Sequence, residues 1–244
     1  MLIGLGTAVN IVAIAAGTTA GVFAGSRFAV KSRELITDVL GFIVVLAAAD
    51  AVKAMWDTAF VSSLPRGWPL LSTLFTLLVG GLIGSWFRLE DRLNSFGIFL
   101  RAKFGQSSHP HFVEGFVASS LLFAIGPLAI LGSIQDGMGL GQEQLFLKST
   151  LDFFAAMAFA ASLGWGVIAS IIPVALYQWS WTGIGYGLGN ILAGYQIQSM
   201  TVVGGVLLMG ISLRLLKVKE VAVGNLLPAL FLAPAVVLLA HNFV

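Results

Sequence analysis

Apolar stretches of about twenty residues follow one another along almost the whole chain, and the segments between them are short. Hydrophobic residues make up 58% of the 244 residues and charged residues only 10%, where a soluble domain usually has about 25% charged residues. Water cannot be the main solvent of such a chain. The sequence therefore predicts an all-α, polytopic transmembrane helical bundle whose first partner is the lipid bilayer.

The breaks between the apolar stretches divide the chain into about eight spans. These are residues 2–25, 34–55, 69–87, 112–134, 146–175, 179–195, 199–217 and 222–243. The fifth stretch is unusually long and contains Gly164, Gly166 and Pro173, so one kinked span and two half-spans both remain open, with seven to eight spans and a re-entrant segment as the alternative count. No hydrophilic stretch is long enough for a second domain, so residues 1–244 are predicted to form one integral membrane domain.

The basic residues predict an orientation for these spans. Loops on the cytoplasmic side of membrane proteins are enriched in Lys and Arg. With the N-terminus outside and eight spans, Lys53, Arg66 and Lys148 are the outside members of the 13 basic residues, and all others fall inside. Both termini are then outside. The net charge of +2 thus reflects topology, and nucleic acid is not predicted as a partner.

Small residues recur at helical spacing, which predicts close helix packing. Gly17, Gly21 and Gly25 follow one another every four residues, and lipid gives helices little other reason to associate. The same faces could serve packing inside the chain or association of copies, so a homo-oligomer remains open.

Two weak internal alignments leave an internal repeat open. In the first, Thr37, Val39, Gly41 and Lys53 match Thr201, Val203, Gly205 and Lys217, on spans that run in opposite directions. In the second, residues 79–81 match residues 203–205 and imply a parallel duplication.

The densest polar constellation begins at His111 and continues FVEGFVASSLLFAIGPLAILGSIQDG. Gly126 and Pro127 interrupt this span, because a proline in a helix interior removes a backbone hydrogen bond. Broken helices at mid-membrane depth line substrate cavities in transporters, although a simple proline kink with interface charges is the alternative. The candidate binding residues around this break are Glu114, Ser119, Ser120, Gly126, Pro127, Ser133, Gln135, Asp136, Lys148 and Asp152.

Three amides inside other spans are further candidates, since a polar group in hydrocarbon is costly without a partner. Asn10 and Asn190 lie near mid-span, and Asn225 lies beside prolines of the last span. Asp50 and Lys53, by contrast, are predicted to form a salt bridge near the membrane interface.

Several strings in the chain resemble the DUF554 family of bacterial multi-spanning membrane proteins. They are the opening GTAVN, EGFVASSLLFAIGP, GSIQDG with LKSTLD after it, and VGNLLPAL near the end. The resemblance implies a multi-pass protein of the bacterial inner membrane and a transport role with no assigned substrate. The positions that carry it are Asn10, Glu114, Ser119, Ser120, Gly126, Pro127, Gly132, Ser133, Gln135, Asp136, Gly137, Lys148, Ser149, Asp152, Gln178, Asn225 and Pro228. The chain departs from the family pattern at Trp179, where a glycine is expected.

These patterns favour a secondary transporter or channel for a small solute or ion. The alternatives are a membrane assembly subunit and, with less support, an intramembrane lipid-modifying enzyme. We expect no enzyme activity, because no histidine lies at mid-membrane depth to complete an acid–base pair. No cofactor or metal is expected either, since the chain has no cysteine, no nucleotide-binding motif and only His109 and His111 in close sequence.

Overall fold

The computed structural model describes residues 2–27, 29–103, 111–124, 127–188 and 192–242. These residues form helices and loops, and no β-strand occurs among them. The α-helices are α1 (Leu5–Gly25), α2 (Val30–Val52), α3 (Thr58–Ser62), α4 (Trp68–Trp86), α5 (Leu89–Lys103), α6 (Phe112–Ala124), α7 (Pro127–Gly137), α8 (Glu143–Leu163), α9 (Ile171–Leu188), α10 (Gly194–Leu215) and α11 (Leu227–His241). Short 3₁₀ helices cover Lys53–Trp56, Gly164–Ser170 and Val223–Leu226. The predicted all-α helical bundle is confirmed.

Six helical stretches of the described chain are long and apolar enough to cross a membrane. They are Leu5–Gly25, Glu34–Ser62, Trp68–Trp86, Glu143–Gly187, Gly194–Leu215 and Val223–His241. The pair α6 and α7, which is bent by 62°, makes a seventh if it forms one broken span. Large apolar side chains such as Phe23, Leu82 and Trp86 lie exposed on these helices, as lipid-facing residues do.

The longest stretch, Glu143–Gly187, reverses direction within its 45 residues. α8 begins where Leu145 lies against Gly6, at the start of α1, and it ends where Ala161 lies against Gly25, at the end of α1. α9 then brings Trp179 back against Gly4, beside the start of α1. Each of the two helices is about 30 Å long at 1.5 Å per residue, so the stretch fits two membrane crossings.

The predicted break between residues 175 and 179 is wrong, because α9 runs through these positions without interruption. The helices are separated instead by the 3₁₀ segment Gly164–Ser170. Gly164 has φ 77°, a conformation that favours glycine, and it ends α8. Pro173 lies in the first turn of α9, where a missing backbone N–H costs nothing, so it does not kink the helix.

The chain divides into two compact units. The first consists of Met1–Leu40, Asn94–Ala124 and Leu128–Ile191, and the second of Gly41–Leu93, Ile125–Pro127 and Leu192–Val244. The unit boundaries fall within α2 and α5, so each of these helices belongs partly to the first unit and partly to the second. That the whole chain is one integral membrane domain stays a prediction.

The first unit is organised by the packing of α1 along α8. Methyl groups placed on Gly17, Gly21 and Gly25 would overlap the backbones of Phe153, Met157 and Ala161, respectively. Both series advance by four residues, so the two helices run parallel with their backbones in contact. The glycine spacing therefore serves packing inside the chain, where only a residue without a side chain leaves room.

Two further close approaches complete this unit. The start of α6 packs on the 3₁₀ segment, where a methyl group on Gly166 would overlap the backbone of Phe112. α7 crosses α9 at two glycines, because a methyl group on Gly137 would overlap the backbone of Thr182 and one on Gly185 that of Ile134.

In the second unit, α11 packs antiparallel to α4 and also contacts α10. Gly80 lies against Ala229 and Gly84 against the backbone of Asn225. On the other side of α11, the Gln196 amide donates a 3.1 Å hydrogen bond to the carbonyl oxygen of Pro234. This proline lies inside α11, so the bond joins α10 to the interior of the neighbouring helix.

Helix α10 and the second half of α2 make reciprocal contacts. Gly41 packs on Leu216, and Gly205 packs on Val52. Each residue of the first contact lies 164 positions from its counterpart in the second, which is the spacing of the Gly41–Gly205 sequence alignment. Inverted repeats related by a two-fold axis produce such exchanged contacts, and the duplication itself stays a prediction.

The contact between α1 and α8 can be tested with two glycine substitutions. We expect Gly21→Ala to lower stability by about 1–3 kcal/mol, since the added methyl group would overlap the carbonyl oxygen of Met157. Gly183→Ala is the matched control, because nothing lies within 4 Å of a methyl group there, and alanine is favoured over glycine in a helix by about 1 kcal/mol. Thermal unfolding in detergent, followed by tryptophan fluorescence, measures both. Equal effects of the two substitutions would contradict the close contact.

Candidate functional site

A buried ion pair lies where α8 faces α1. The Lys148 Nζ donates to Asp152 Oδ2 at 2.5 Å, and the exposed fractions of the two side chains are only 7% and 10%. The side-chain amide of Asn10, on α1, donates to the same carboxylate oxygen at 3.0 Å. Residues of two helices thus meet at one carboxylate inside the first unit.

The sequence places these groups together through helical spacing. Lys148 and Asp152 are four residues apart and share one face of α8. Asn10 belongs to the buried stripe of α1 that also contains Gly6 and Gly17. Because the glycines bring the two backbones into contact, short side chains such as those of asparagine and aspartate are long enough to meet.

Several buried polar atoms of α1 have no hydrogen-bond partner. They include Asn10 Oδ1 and the hydroxyl of Thr7, one turn earlier on the same buried stripe of α1. Polar atoms inside proteins are almost always satisfied by a protein group or an ordered water. These oxygens therefore indicate a place that accepts water, an ion or a polar solute.

A second set of such atoms lies on α7 and α9. Gln178 is fully buried, and neither polar atom of its amide has a partner. Its neighbour Trp179 packs on Gly4, next to the start of α1. The hydroxyls of Ser133 and Thr182 are also buried without a partner, on the two helices that cross at Gly137 and Gly185.

Asp136 is held by hydrogen bonds at the start of α1. It is 1% exposed and accepts the backbone N–H of Gly4 at 3.1 Å and the amide of Gln142 at 2.9 Å. The Gln142 amide also donates to the carbonyl oxygen of Leu2 at 2.7 Å. A carboxylate at a helix N-terminus is favoured by the helix dipole, so Asp136 fastens the N-terminal segment to the unit.

The other candidates on α6 and α7 bond within their own helices or lie nearer the surface. Glu114 pairs with His111 at 3.1 Å, and the hydroxyls of Ser119 and Ser120 each donate to a carbonyl one turn earlier at 2.5 Å. Gln135 is half-buried. Pro127 is the first residue of α7, where its missing N–H costs nothing.

Two predicted residues, Gly126 and Asn190, lie outside the described residues. The third amide, Asn225, belongs to the second unit, where its side-chain oxygen accepts the backbone N–H of Glu90 at 2.9 Å. Among the candidates, the structure thus brings Asn10, Lys148 and Asp152 into one network.

A polar cluster in the second unit was missed at the sequence level. Glu90 pairs with Arg214 at 2.8 Å and also accepts the backbone N–H of Gly224 at 2.6 Å. Arg214 has a second carboxylate, that of Glu220, at 3.5 Å. Every charge in this cluster has a partner, so it joins the starts and ends of helices and leaves no free group for a ligand.

Thr7 and Gln178 were also absent from the predicted site. Thr7 lies three residues before Asn10 within the string GTAVN, and Gln178 is one of the positions that carry the family resemblance. The i, i+3 spacing of Thr7 and Asn10 was the available signal. No group of three His, Asp or Glu residues that could hold a metal ion occurs in the described part of the chain.

The family model for DUF554, described as "Protein of unknown function", matches residues 5–238. The chain belongs to the DUF554 family. It is similar to the "Uncharacterized membrane protein YdfK" of Bacillus subtilis (strain 168), with 30% identity over 243 residues that cover 98% of this chain and 97% of that protein. It is also similar to the "Uncharacterized protein YqgA" of Escherichia coli (strain K12), with 29% identity over 234 residues and 94% of both chains. No solved structure matches.

Membership of the DUF554 family confirms the resemblance found in the sequence. Together with the six apolar helical stretches and the relative described as a membrane protein, it identifies the chain as a membrane protein. The family description names no activity, so the role of the buried ion pair must be inferred from its chemistry.

The energetics of the ion pair can be tested by removing its members singly and together. We expect Lys148→Met and Asp152→Leu each to lower stability by about 3–5 kcal/mol, because each leaves one buried charge without a partner. The double variant should lose much less, since two apolar side chains need no counter-charge. Lys53→Met is the control, because the Asp50–Lys53 pair is exposed and such pairs contribute little. Thermal unfolding in low-salt detergent solution measures all four variants, and strictly additive losses in the double variant would contradict the coupling.

Proposed function

We propose that this DUF554 protein is a secondary transporter or channel for a small solute or ion, with its site in the first unit. The observation that carries the proposal is the network of Asn10, Asp152 and Lys148, in which three buried polar groups meet between two apolar helices. Ionisable residues within membrane spans mark substrate and ion pathways.

A purely structural role accounts poorly for this network. Two apolar side chains of similar volume would stabilise the α1–α8 contact at least as well as the ion pair, because the pair loses hydration when it is buried. Apolar side chains at positions 7 and 10 would also avoid the unpartnered oxygens that Thr7 and Asn10 bring into the interior. The retained charges and free oxygens are explained by a ligand or a water path.

The interrupted span contributes to the same proposal. α6 ends at Ala124 and α7 begins at Pro127, and the two helices are bent by 62°. The bend takes α7 to the crossing with α9, where Ser133 and Thr182 have unpartnered hydroxyls. We therefore place the solute path along α7, α9 and the polar stripe of α1, within the first unit.

The two alternatives have less support. Gly17, Gly21 and Gly25 are already occupied by α8, so we propose no assembly with another protein and no homo-oligomer through this face. A lipid-modifying enzyme would need an acid–base pair beside a nucleophile. Lys148 and Asp152 neutralise each other instead.

We further propose that the protein is a multi-pass protein of the bacterial inner membrane with both termini outside. The reversal within Glu143–Gly187 and the bent α6–α7 pair together allow eight crossings, which keep Arg214, Lys217 and Lys219 on the cytoplasmic side.

Cysteine labelling tests this orientation without background, because the chain has no cysteine. Ser62→Cys should react with a membrane-impermeant maleimide in intact cells, since residue 62 is exposed and falls on the outer side. Val218→Cys, 68% exposed, should react only after permeabilisation. The reverse pattern would invert the orientation, and equal labelling of both sites would exclude an odd number of crossings between them.

Flux through reconstituted liposomes tests transport. Proteoliposomes would be given separate gradients of Na⁺, K⁺, glycine, lactate and phosphate, with uptake measured by isotope or by ion-sensitive dye. We expect uptake of at least one solute, and we expect Asp152→Asn to lower its rate at least tenfold by weakening the pairing with Lys148. Asp50→Asn, which alters an exposed pair, should keep the wild-type rate. Equal rates in both variants, or in protein-free liposomes, would contradict the proposal.

A further inference from the structure

Two buried oxygens in the first half of α1 have no hydrogen-bond donor. Asn10 gives its N–H to the carboxylate, so its Oδ1 is left as an acceptor without a donor. The hydroxyl oxygen of Thr7, on the same stripe of α1, also lacks a partner. Lys148 is the cation already bound at this carboxylate. The place therefore lacks positive charge or hydrogen-bond donors more than it lacks acceptors.

Asn10 and Thr7 place their unpartnered oxygens about one helical turn apart on the buried stripe of α1. The Asn10 amide bonds to Asp152 through its nitrogen, so its own oxygen lies beside this carboxylate. Thr7 is therefore the next candidate oxygen for a ligand bound at this carboxylate.

Charge decides which cation fits such a place. Ca²⁺ takes six to eight oxygen ligands, usually with several carboxylates, and Asp152 is the carboxylate that this network offers. One carboxylate and two neutral oxygens match a single positive charge. An ion of that charge would compete with the Lys148 ammonium, whose flexible four-carbon stem lets it leave Asp152.

We propose that Asp152, Asn10 and Thr7 bind a monovalent cation that displaces the ammonium group of Lys148 from the carboxylate. The inference deepens the proposed function and rests on it for its meaning, since it makes this ion the transported or coupling ion. Between binding events, the ammonium group of Lys148 balances the charge of the Asp152 carboxylate, so the site has no net charge when no ion is bound.

Thermal unfolding of the purified protein in detergent tests binding directly. NaCl, KCl and NH₄Cl would each be compared with choline chloride at the same ionic strength, because choline is too large for the place between two touching helices. We expect a concentration-dependent rise in the unfolding temperature with at least one of the three small cations, as for any ligand that binds only the folded protein. Equal curves in all four salts would overturn the proposal.

Two isosteric variants locate the binding place. Thr7→Val removes one proposed ligand oxygen, and we expect it to weaken the cation affinity at least tenfold. Thr76→Val is the matched control, because its hydroxyl is also buried without a partner but lies on α4, in the second unit. Both variants should fold, since valine leaves no unsatisfied hydroxyl. Equal affinities in Thr7→Val and the wild type would overturn the assignment.

Lys148→Met supplies a readout that a merely structural ion pair would not give. With the competing ammonium removed, the cation should bind at least tenfold more tightly than to the wild type and should restore the stability lost in choline chloride. Unchanged or weaker affinity would overturn the displacement. Cation binding without flux would contradict transport and leave the site standing, whereas Asp152-dependent flux without any cation effect would contradict the cation site and leave transport standing.

Discussion

The contact between the backbones of α1 and α8 is the constraint on which the first unit depends. Glycines every four residues let two parallel helices touch along their length, and this contact replaces the hydrophobic driving force that lipid does not supply. The same closeness removes water from Asn10, Lys148 and Asp152. The glycines that hold the two helices together therefore also place the charges in a dry interface.

The fold was predictable where its causes are local. Apolar length and the absence of charge indicate membrane helices, and the family strings could be read directly from the sequence. The form of the break at Gly164–Ser170 was left open, because Gly164, Gly166 and Pro173 fit a kinked span and two half-spans equally well until the place of Pro173 in the first turn of α9 is known. The sequence also could not show that α7 crosses α9, since that contact involves the backbones of Gly137 and Thr182.

The contacts of the polar residues can also be divided into those set by local spacing and those set by packing. The pairing of Lys148 with Asp152 follows from helical spacing within α8, since the sequence already shows the two residues four positions apart. The hydrogen bond from Asn10 to Asp152 joins residues 142 positions apart, so it depends on how α1 and α8 are aligned. Thr7 becomes notable only when its burial is known, because a threonine in a membrane helix ordinarily bonds to a carbonyl of its own helix. Partnerless oxygens are a property of packing, which one sequence does not reveal.

Two buried polar clusters differ in how fully their groups are satisfied, and this difference argues for where function lies. In the cluster of the second unit, the Glu90 carboxylate accepts hydrogen bonds from Arg214 and Gly224, and the Glu90 backbone N–H donates to the side-chain oxygen of Asn225, so these groups fasten helices to one another. In the first unit, Asn10 keeps an unpartnered oxygen beside the carboxylate that Lys148 already neutralises, and Thr7 and Gln178 also keep unpartnered atoms. A polar network that serves only stability tends to be fully satisfied, because each unpartnered atom costs free energy. The unsatisfied network is the one that gains from a ligand.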